Sequence, residues 1–171
     1  MYRKIGFKRT SCWNAQRWKF HRVDITWVTD RIALGGGIWN LANMTNLARL
    51  GISHVIDMQL EFDDTDLGDS VGIEVLWNPI DDDFQPKSTE IFQQGIDFAE
   101  NALQDPDAKV FIHCAAGVHR APMMTLALLC SQGWDIDKAM EHLQTLRPVV
   151  DFAEVYVESV RRYLQDRTVR M

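Results

Sequence analysis

A cysteine and an arginine separated by five residues, Cys114 and Arg120, are the pair whose chemistry stands out in this sequence. His113 precedes the cysteine, and five mostly small residues fill the interval: Ala115, Ala116, Gly117, Val118 and His119. The apolar run Val110–Ile112 comes before this segment, and Pro122 follows it. Because proline is favoured in the first turn of a helix, the pattern predicts a buried strand, a tight loop and a helix.

A loop of this kind can bind an anion and activate the cysteine. The first amides of a helix lack acceptors and lie at the positive end of the helix dipole. Small side chains let the backbone from Ala115 to Arg120 curl around an anion, and the fork of Arg120 matches two phosphate oxygens. A thiol in such surroundings loses its proton readily, which makes Cys114 a candidate nucleophile for attack on phosphorus.

The segment His113-Cys114-x5-Arg120, with Gly117 inside it, resembles the signature of the protein tyrosine phosphatase superfamily. The size and layout of the chain resemble the dual-specificity branch of that superfamily. The resemblance implies an enzyme that hydrolyses phosphate monoesters through a phosphocysteine intermediate, without a metal or cofactor. In such an enzyme His113 would orient the loop and help to set the reactivity of the thiol, while Arg120 and the amides of residues 115–120 would hold the phosphate.

Members of that superfamily also use an aspartate, which protonates the leaving oxygen and then activates water. Three consecutive candidates are present: Asp81, Asp82 and Asp83. Asp82 is favoured because it lies 32 positions before Cys114 (114 − 82) and begins a run, residues 82–86, that resembles the acid loop of the family. Its two neighbours stay open as alternatives.

Ala121 departs from the family pattern, which usually has serine or threonine after the signature arginine. The missing hydroxyl predicts slower breakdown of the phosphoenzyme, and a pseudophosphatase that binds phosphorylated partners is one alternative function. Glucan phosphatases also have Arg-Ala-Pro here, and Val55–Gln59 is a second faint likeness, so a glucan phosphatase is another alternative. A sulfurtransferase also surrounds a cysteine with an anion cup, but the context of His113 and Asp82 argues against it.

Other polar and reactive residues receive plainer interpretations. His119 is expected to point to solvent, with a place on the rim of the site as the alternative. The acidic residues between Glu61 and Asp69 are expected to form a solvated turn, since their spacing does not match a calcium-binding EF-hand. Cys130 is expected in the core, because ten residues of helix beyond Arg120 rise about 15 Å and exclude a disulfide with the nucleophile.

Strands and helices alternate along the chain from Ile25 onward. Apolar runs predict strands at Ile25–Leu34 (two strands around a turn), Ile52–Met58, Ile73–Trp77 and Val110–Ile112. Apolar periodicity predicts helices from Leu41 to Gly51, from a cap at Ser88 or Thr89 to Leu103, and over Pro122–Gln132, Asp135–Leu146 and Phe152–Leu164. This order predicts an α/β fold of three layers, α/β/α, with a mainly parallel central sheet.

Length and composition agree with one catalytic domain. The 171 residues, 46% of them hydrophobic, suffice for one domain with a substantial core. Residues 1–22 contain seven basic residues and no acid, so we expect a solvated basic arm before a domain over residues 23–171. The net charge of −6 argues against binding to nucleic acid or to an anionic membrane, and no apolar run approaches the roughly 18 residues of a membrane span.

The cysteine count indicates the compartment. Three distant cysteines form neither a disulfide framework nor a metal-ligand pattern, which favours a reducing, cytoplasmic compartment. The expected partner is a phosphorylated protein or another phosphomonoester substrate, and we expect a monomer. The identity of the substrate is left open.

Overall fold

The computed structural model describes residues 23–170, and their side chains up to residue 167. This part of the chain forms five strands: β1 Ile25–Trp27, β2 Ile32–Gly35, β3 His54–Gln59, β4 Glu74–Ile80 and β5 Val110–His113. It forms six helices: α1 Leu41–Arg49, α2 Thr65–Asp69, α3 Thr89–Ala102, α4 Arg120–Ser131, α5 Ile136–Leu146 and α6 Glu154–Arg170. The predicted basic arm, residues 1–22, and Cys12 within it lie outside the described residues.

The strands form one mixed sheet in the order β1-β2-β5-β3-β4. Only the edge pair β1 and β2 is antiparallel, as a hairpin around Thr29 requires; β2, β5, β3 and β4 run parallel to their neighbours. Strand β5 is central, paired with β2 on one side and β3 on the other. The residue that follows β5 therefore emerges at the middle of the carboxyl edge, where open α/β sheets place their ligand sites.

Helices cover both faces of the sheet, which confirms the predicted three-layer α/β/α fold. One face packs against α3, α4, α5 and α6 through a large apolar cluster that includes Ile56, Ile112 and Phe92. The other face packs against α1 through a smaller cluster that includes Phe111 and Met44. Alternate residues of β5 thus point into opposite cores, because side chains of a strand alternate between its faces.

Helix α4 is buried on nearly every side, as its apolar sequence predicts. It begins at Arg120 rather than at Pro122, so the predicted phosphate ligand itself opens the helix. Asp135 caps α5 by accepting from the amide of Lys138 at 3.1 Å. Ser88 stands at the cap position of α3 without a side-chain cap bond.

Two helices also differ from the predictions. The acidic segment contains a short helix, α2, that its sequence did not predict. Helix α6 begins two residues after Phe152 and runs beyond Leu164. No helix in the described part of the chain combines the length and the apolar character that crossing a membrane requires.

Candidate active site

Residues 114–120, here called the cysteine loop, connect the central strand β5 to the first residue of α4. Its carbonyl groups turn away from the loop. The Ala115 carbonyl accepts from the amide of Gly37 at 3.1 Å, and the Val118 carbonyl accepts from the amide of Asp151 at 3.0 Å. None of the described residues accepts a hydrogen bond from the amides of residues 115–119. Carbonyls bonded outward and amides left free within the loop make a cup for an anion.

Arg147 draws two more carbonyls outward. Its Nε donates to the Gly117 carbonyl at 2.9 Å, and its Nη2 donates to the Ala116 carbonyl at 3.1 Å. The same guanidinium grips the Asp24 carboxylate, with N–O distances of 2.7 and 2.6 Å, and these hydrogen bonds lower the pKa of Asp24. Sequence reasoning missed Arg147, because one arginine before a proline gives no local signal of a contact with the loop.

Gly117 gives the loop its tight curve. Its φ is +64°, in the left-handed region that glycine adopts without cost. A Cβ atom there would lie 2.6 Å from the Gly35 carbonyl and 2.6 Å from Nη2 of Arg147. Only glycine fits this position without displacing backbone or the supporting arginine.

Cys114 directly follows strand β5 and begins the cysteine loop, with 2% of its surface exposed. Its amide donates to the Gly35 carbonyl at 3.4 Å, which ties the sulfur-bearing residue to strand β2. The charge of Cys114 is among the interactions that raise the pKa of Arg120. Sulfur and guanidinium therefore lie within electrostatic reach of each other.

Arg120 presents one side of its guanidinium to the cup. Nη1 and Nη2 donate end-on to both carboxylate oxygens of Glu61, at 2.9 and 2.8 Å, and Nη1 also donates to the Ile80 carbonyl at 3.1 Å. Nε is buried and has no hydrogen-bond partner among the described residues. The lateral pair of donors, Nε and the second Nη2 hydrogen, is thus available for two oxygens of an anion.

Burial and partners act in opposite directions on the charge of Arg120. Burial disfavours the charged form, but the hydrogen bonds that Arg120 donates to Glu61 and the charges of Cys114, Glu61 and Asp82 raise the pKa of Arg120 above its usual value. The guanidinium therefore stays charged throughout the working pH range. Conversely, the hydrogen bonds from Arg120 lower the pKa of Glu61 to about 2.

Of the three consecutive aspartates, Asp82 reaches the cysteine loop. Its Oδ2 lies 3.9 Å from Arg120 Nε, next to the free lateral donors. Its Oδ1 accepts from the Tyr156 hydroxyl at 3.0 Å. The carboxylate of Asp83 is instead paired with Lys87, and Asp81 offers its backbone carbonyl to the same ammonium at 2.8 Å.

The prediction that His119 points to solvent is wrong. The ring lies in the interval between two carboxylates and is 19% exposed. Nδ1 is 3.0 Å from Asp82 Oδ2, and Nε2 is 3.4 Å from Asp151 Oδ2. The edge of the Phe84 ring packs against it, with centroids 5.1 Å apart. This imidazole thus lies where three segments meet: the cysteine loop, the loop that contains Asp82, and the turn before α6.

The acidic segment between Glu61 and Asp69 was predicted to be a solvated turn, and this prediction is wrong for two of its acids. Glu61 is bound to Arg120, and Asp64 is fully buried. Asp64 Oδ2 lies 3.0 Å from Nε2 of His113, which is also fully buried. This pair lacks the angles of a hydrogen bond, so the attraction is mainly electrostatic. Two acids of the segment thus contact the residues at either end of the cysteine loop: Glu61 contacts Arg120, and Asp64 contacts His113, which precedes the loop.

Asp57 completes a buried group beneath the nucleophile. Its Oδ1 lies 3.6 Å from His113 Nε2, and the two aspartates and the histidine offer ligand atoms within 4.8 Å of one another. These three side chains could hold a metal cation, but a proton on Asp57 would relieve the repulsion between the two carboxylates equally well. Burial raises the pKa of Asp57 to about 7. His113 thus lies beside two buried carboxylates, and the role predicted for it in orienting the loop stays a prediction.

Cys130 is partly buried and packs against the large cluster, in agreement with the core interpretation. Burial raises the pKa of its thiol to about 11. Such a thiol is a poor nucleophile at neutral pH. Of the two cysteines that the structure describes, Cys114 is therefore the candidate nucleophile.

Comparison with known proteins gives one matching family model, "Dual specificity phosphatase, catalytic domain", over residues 37–166. Protein phosphatase Slingshot homolog 3 of Mus musculus is 30% identical over 130 residues, which are 75% of this chain and 19% of that protein. Dual specificity protein phosphatase 26 of Homo sapiens is 33% identical over 89 residues, 51% of this chain and 42% of that protein. The chain thus spans about a fifth of the length of the Slingshot relative.

Solved structures with the same fold include PTPMT1, with a TM-score of 0.75 and 20% identity over 85% of this chain and 97% of that chain. PTPMT1 has also been solved in complex with PI(5)P. Human DUSP28 gives a TM-score of 0.72 and 18% identity over 84% of this chain and 95% of that chain. At these identities the likeness concerns the fold.

Proposed function

The chain belongs to the dual-specificity branch of the protein tyrosine phosphatase superfamily, and on that premise we propose that it hydrolyses phosphate monoesters through a phosphocysteine on Cys114. The observation that carries the proposal is the arrangement above the sulfur. The amides that follow Cys114 and Nε of Arg120 have no hydrogen-bond partner among the described residues, and Asp82 Oδ2 lies 3.9 Å from that Nε. Free donors for an anion and a carboxylate beside them, both close in the chain or in space to Cys114, support the proposal.

In the first step the Cys114 sulfur forms a bond to phosphorus while the bond from phosphorus to the leaving oxygen breaks. Asp82 gives its proton to that oxygen, which departs as a neutral alcohol or phenol. The loop amides and Arg120 hold the equatorial oxygens as charge is redistributed, a form of preorganised electrostatic stabilisation. In the second step water attacks phosphorus, the Asp82 carboxylate takes the proton of the water, and the sulfur leaves as a thiolate.

A phosphorylated protein is the substrate class that we propose, because the similar proteins named above include protein phosphatases. Because PTPMT1 has been solved in complex with PI(5)P, a phosphoinositide should be tested as a substrate as well. The net charge of −6 favours substrates of low negative charge beyond the phosphate itself. We also propose a reducing, cytoplasmic setting and a monomer, since the mechanism needs a free thiol and one chain supplies every residue named.

Cys114→Ser tests the nucleophile. The variant is expected to show no turnover of p-nitrophenyl phosphate yet to bind tungstate as the parent protein does, because the cup and Arg120 are unchanged. Loss of tungstate binding together with turnover would point to misfolding, and retained turnover would refute the nucleophile. Asp82→Ala is expected to slow alkyl phosphates by about 10²–10⁴-fold, and p-nitrophenyl phosphate much less, because a good leaving group needs no acid.

Ala121 makes the second step a separate question. The residue is fully buried directly after Arg120, and its methyl group supplies no hydroxyl to the departing thiolate. We propose that breakdown of the phosphocysteine limits turnover, so rapid mixing should show a burst of phenol followed by a slower steady rate. Ala121→Ser is expected to raise the steady rate and leave the burst unchanged. A burst with no later turnover would support the pseudophosphatase alternative instead.

A further inference from the structure

We propose that helix α6 sets the position of the acid, with Tyr156 as the residue that holds Asp82 in place. Residues 81–87, here called the Asp82 loop, lie between strand β4 and helix α3. The inference rests on the proposed function and assigns a task to a helix that the reaction scheme above leaves unused. Tyr156 acts through Asp82, and so is a positioning residue rather than a catalytic one.

The hydroxyl of Tyr156 links α6 to the Asp82 loop in two ways. The side chain is 1% exposed. Its oxygen accepts from the amide of Phe84 at 3.0 Å, and its hydrogen is donated to Asp82 Oδ1, also at 3.0 Å. Because the amide can only donate, the single hydrogen of the hydroxyl is left for the carboxyl group. Burial raises the pKa of Tyr156 to about 12, so this hydrogen is present throughout the working pH range.

The bond to Tyr156 orients the carboxyl group of Asp82. With Oδ1 bound to the hydroxyl, Oδ2 lies 3.9 Å from Nε of Arg120, which is one of the free donors assigned to the phosphate. Oδ2 also lies 3.0 Å from Nδ1 of His119. A rotation of the carboxyl group about its Cβ–Cγ bond would break the bond to Tyr156. Oδ2 is therefore the oxygen that exchanges a proton with the leaving group and the water.

Phe84, two positions after Asp82, has a backbone conformation that depends on Tyr156. Its φ is +55°, in the left-handed region that residues other than glycine rarely adopt. Such a conformation persists only where the surrounding structure holds it. Tyr156 accepts the Phe84 amide hydrogen and stacks on its ring, with centroids 5.8 Å apart and an angle of 6° between the planes. Both the side chain and the following backbone of Asp82 are thus held by one residue of α6.

Helix α6 also binds the far end of the Asp82 loop. Ser159 Oγ accepts from the amide of Lys87 at 3.0 Å, while its own hydrogen goes to the Val155 carbonyl at 2.8 Å. Arg162 Nη2 donates to the carbonyl of Lys87 at 3.1 Å. Tyr156, Ser159 and Arg162 are spaced three residues apart, so they are neighbours along one side of the helix. One side of α6 therefore holds the loop at two separate points.

The side chain of Lys87 closes the loop on itself. It is 7% exposed, and its Nζ lies over the ring of Tyr156, 5.3 Å from the centroid. Nζ donates to the Asp81 carbonyl at 2.8 Å and is paired with the carboxylate of Asp83. The residues on both sides of Asp82 are thus bound to one ammonium group. A loop held at its ends and across its middle keeps the acid in place before a substrate binds, as preorganised catalysis requires.

Tyr156→Phe tests the proposal, since it removes the hydroxyl and keeps the ring that stacks on Phe84. The measurement is kcat/KM for aryl phosphates whose leaving groups range from p-nitrophenol to phenol, because kcat/KM includes the step in which the phenol departs. The value for phenyl phosphate should fall about tenfold or more, as loss of a hydrogen bond to a carboxylate implies. The value for p-nitrophenyl phosphate should fall less than about threefold, because a good leaving group needs little help from an acid. Tungstate affinity should stay at the parent value.

Tyr163→Phe is the matched control. It removes the same hydroxyl from the same helix at a side chain that is 2% exposed, where the hydroxyl contacts Gln93 and Arg167. This variant should keep the leaving-group dependence of the wild type. In the background of Asp82→Ala, Tyr156→Phe should cause no further loss of kcat/KM, because Tyr156 acts only through Asp82.

An equal loss for all leaving groups in Tyr156→Phe, no loss at all, or a further loss in the background of Asp82→Ala would overturn the proposal. If Tyr156→Phe does not fold by circular dichroism, Ser159→Ala replaces it, since that change removes the acceptor of the Lys87 amide and leaves Tyr156 in place. The ratio of kcat/KM for phenyl phosphate to that for p-nitrophenyl phosphate should then fall about threefold, and an unchanged ratio would again refute the role of α6. Failure of the wild-type protein to hydrolyse any aryl phosphate would instead refute the proposed function.

Discussion

Nε of Arg147 donates to the carbonyl of Gly117 at 2.9 Å, across thirty positions of sequence. The guanidinium thereby joins the glycine that curves the cysteine loop to the Asp24 carboxylate before β1. Each carbonyl that Arg147 draws outward turns the next amide towards the cup, since a peptide unit is rigid and planar. The anion site is therefore shaped by a cation that does not touch the anion.

Arg147→Met should weaken oxyanion binding and stability together. The buried guanidinium is replaced by an apolar chain, which leaves two loop carbonyls and Asp24 without their donor. We expect a loss of about 2–3 kcal/mol, which is less than the roughly 3–5 kcal/mol for most broken buried ion pairs because Asp24 is half exposed. Urea unfolding and tungstate titration measure the two effects.

The control is Arg161→Ala, which breaks a surface bridge to Glu154 and should cost less than about 1 kcal/mol. Equal losses in the two arginine variants would show that the contact with the loop carries no special weight.

Gly117→Ala should disable the loop while Gly133→Ala is tolerated. Both glycines have positive φ, +64° and +93°, so both substitutions carry a backbone strain of roughly 1–2 kcal/mol. Only at Gly117 would the new Cβ also meet backbone and guanidinium at 2.6 Å, whereas nothing lies within 4 Å at Gly133. Tungstate affinity should fall in the first variant and stay at the parent value in the second. Similar affinities in both would argue against a sterically determined loop.

Glu61→Gln should weaken oxyanion binding about tenfold, because Arg120 loses the carboxylate that holds its end-on donors and leaves its lateral face oriented. Glu61 is half exposed, so water screens its repulsion of the phosphate, and the orienting effect should dominate. The folded pKa of about 2 is depressed, so this ion pair is complete above about pH 4.5 and is lost as the pH falls through about 2.

The ratio of tungstate affinities between wild type and Glu61→Gln should therefore be constant from pH 5 to pH 8. Asp69→Asn, which removes the same charge from an exposed position of the same segment, controls for the general field. Tighter binding by Glu61→Gln would mean that repulsion outweighs orientation.

Asp57 should make the wild-type protein less stable as the pH rises. Burial raises its folded pKa from 3.8 to about 7, so the folded state holds more protons than the unfolded state between those values. The free energy of unfolding should therefore fall from about pH 4 to about pH 7, by at most about 1.4 kcal/mol per pH unit for one proton. Urea midpoints at several pH values measure the slope.

Asp57→Asn, which keeps an acceptor for the amide of Gln59, should flatten this slope. Parallel profiles for the variant and the wild type would place the titration elsewhere, with Asp64 and His113 as the neighbouring groups.

The sequence by itself determined the cysteine loop and the layers around it. Strand, loop and helix are contiguous from Val110 to Ser131, and a tight turn rich in small residues between a buried strand and a helix has few conformations open to it. Hydrophobic periodicity likewise predicted the α/β/α layers, because each apolar face must be buried against another. Cys114 and Arg120 could be named from spacing alone.

Only the tertiary structure decided which distant side chains serve that loop. Arg147 reaches Asp24 across 123 positions, Tyr156 reaches Asp82 across 74, and Arg120 reaches Glu61 across 59. Arg147, Tyr156 and Glu61 look like ordinary residues in their own segments, since charge and polarity do not specify a partner. His119 shows the limit most clearly: its place in the loop was certain from the sequence, but its direction depended on Asp82 and Asp151, which other elements bring to it.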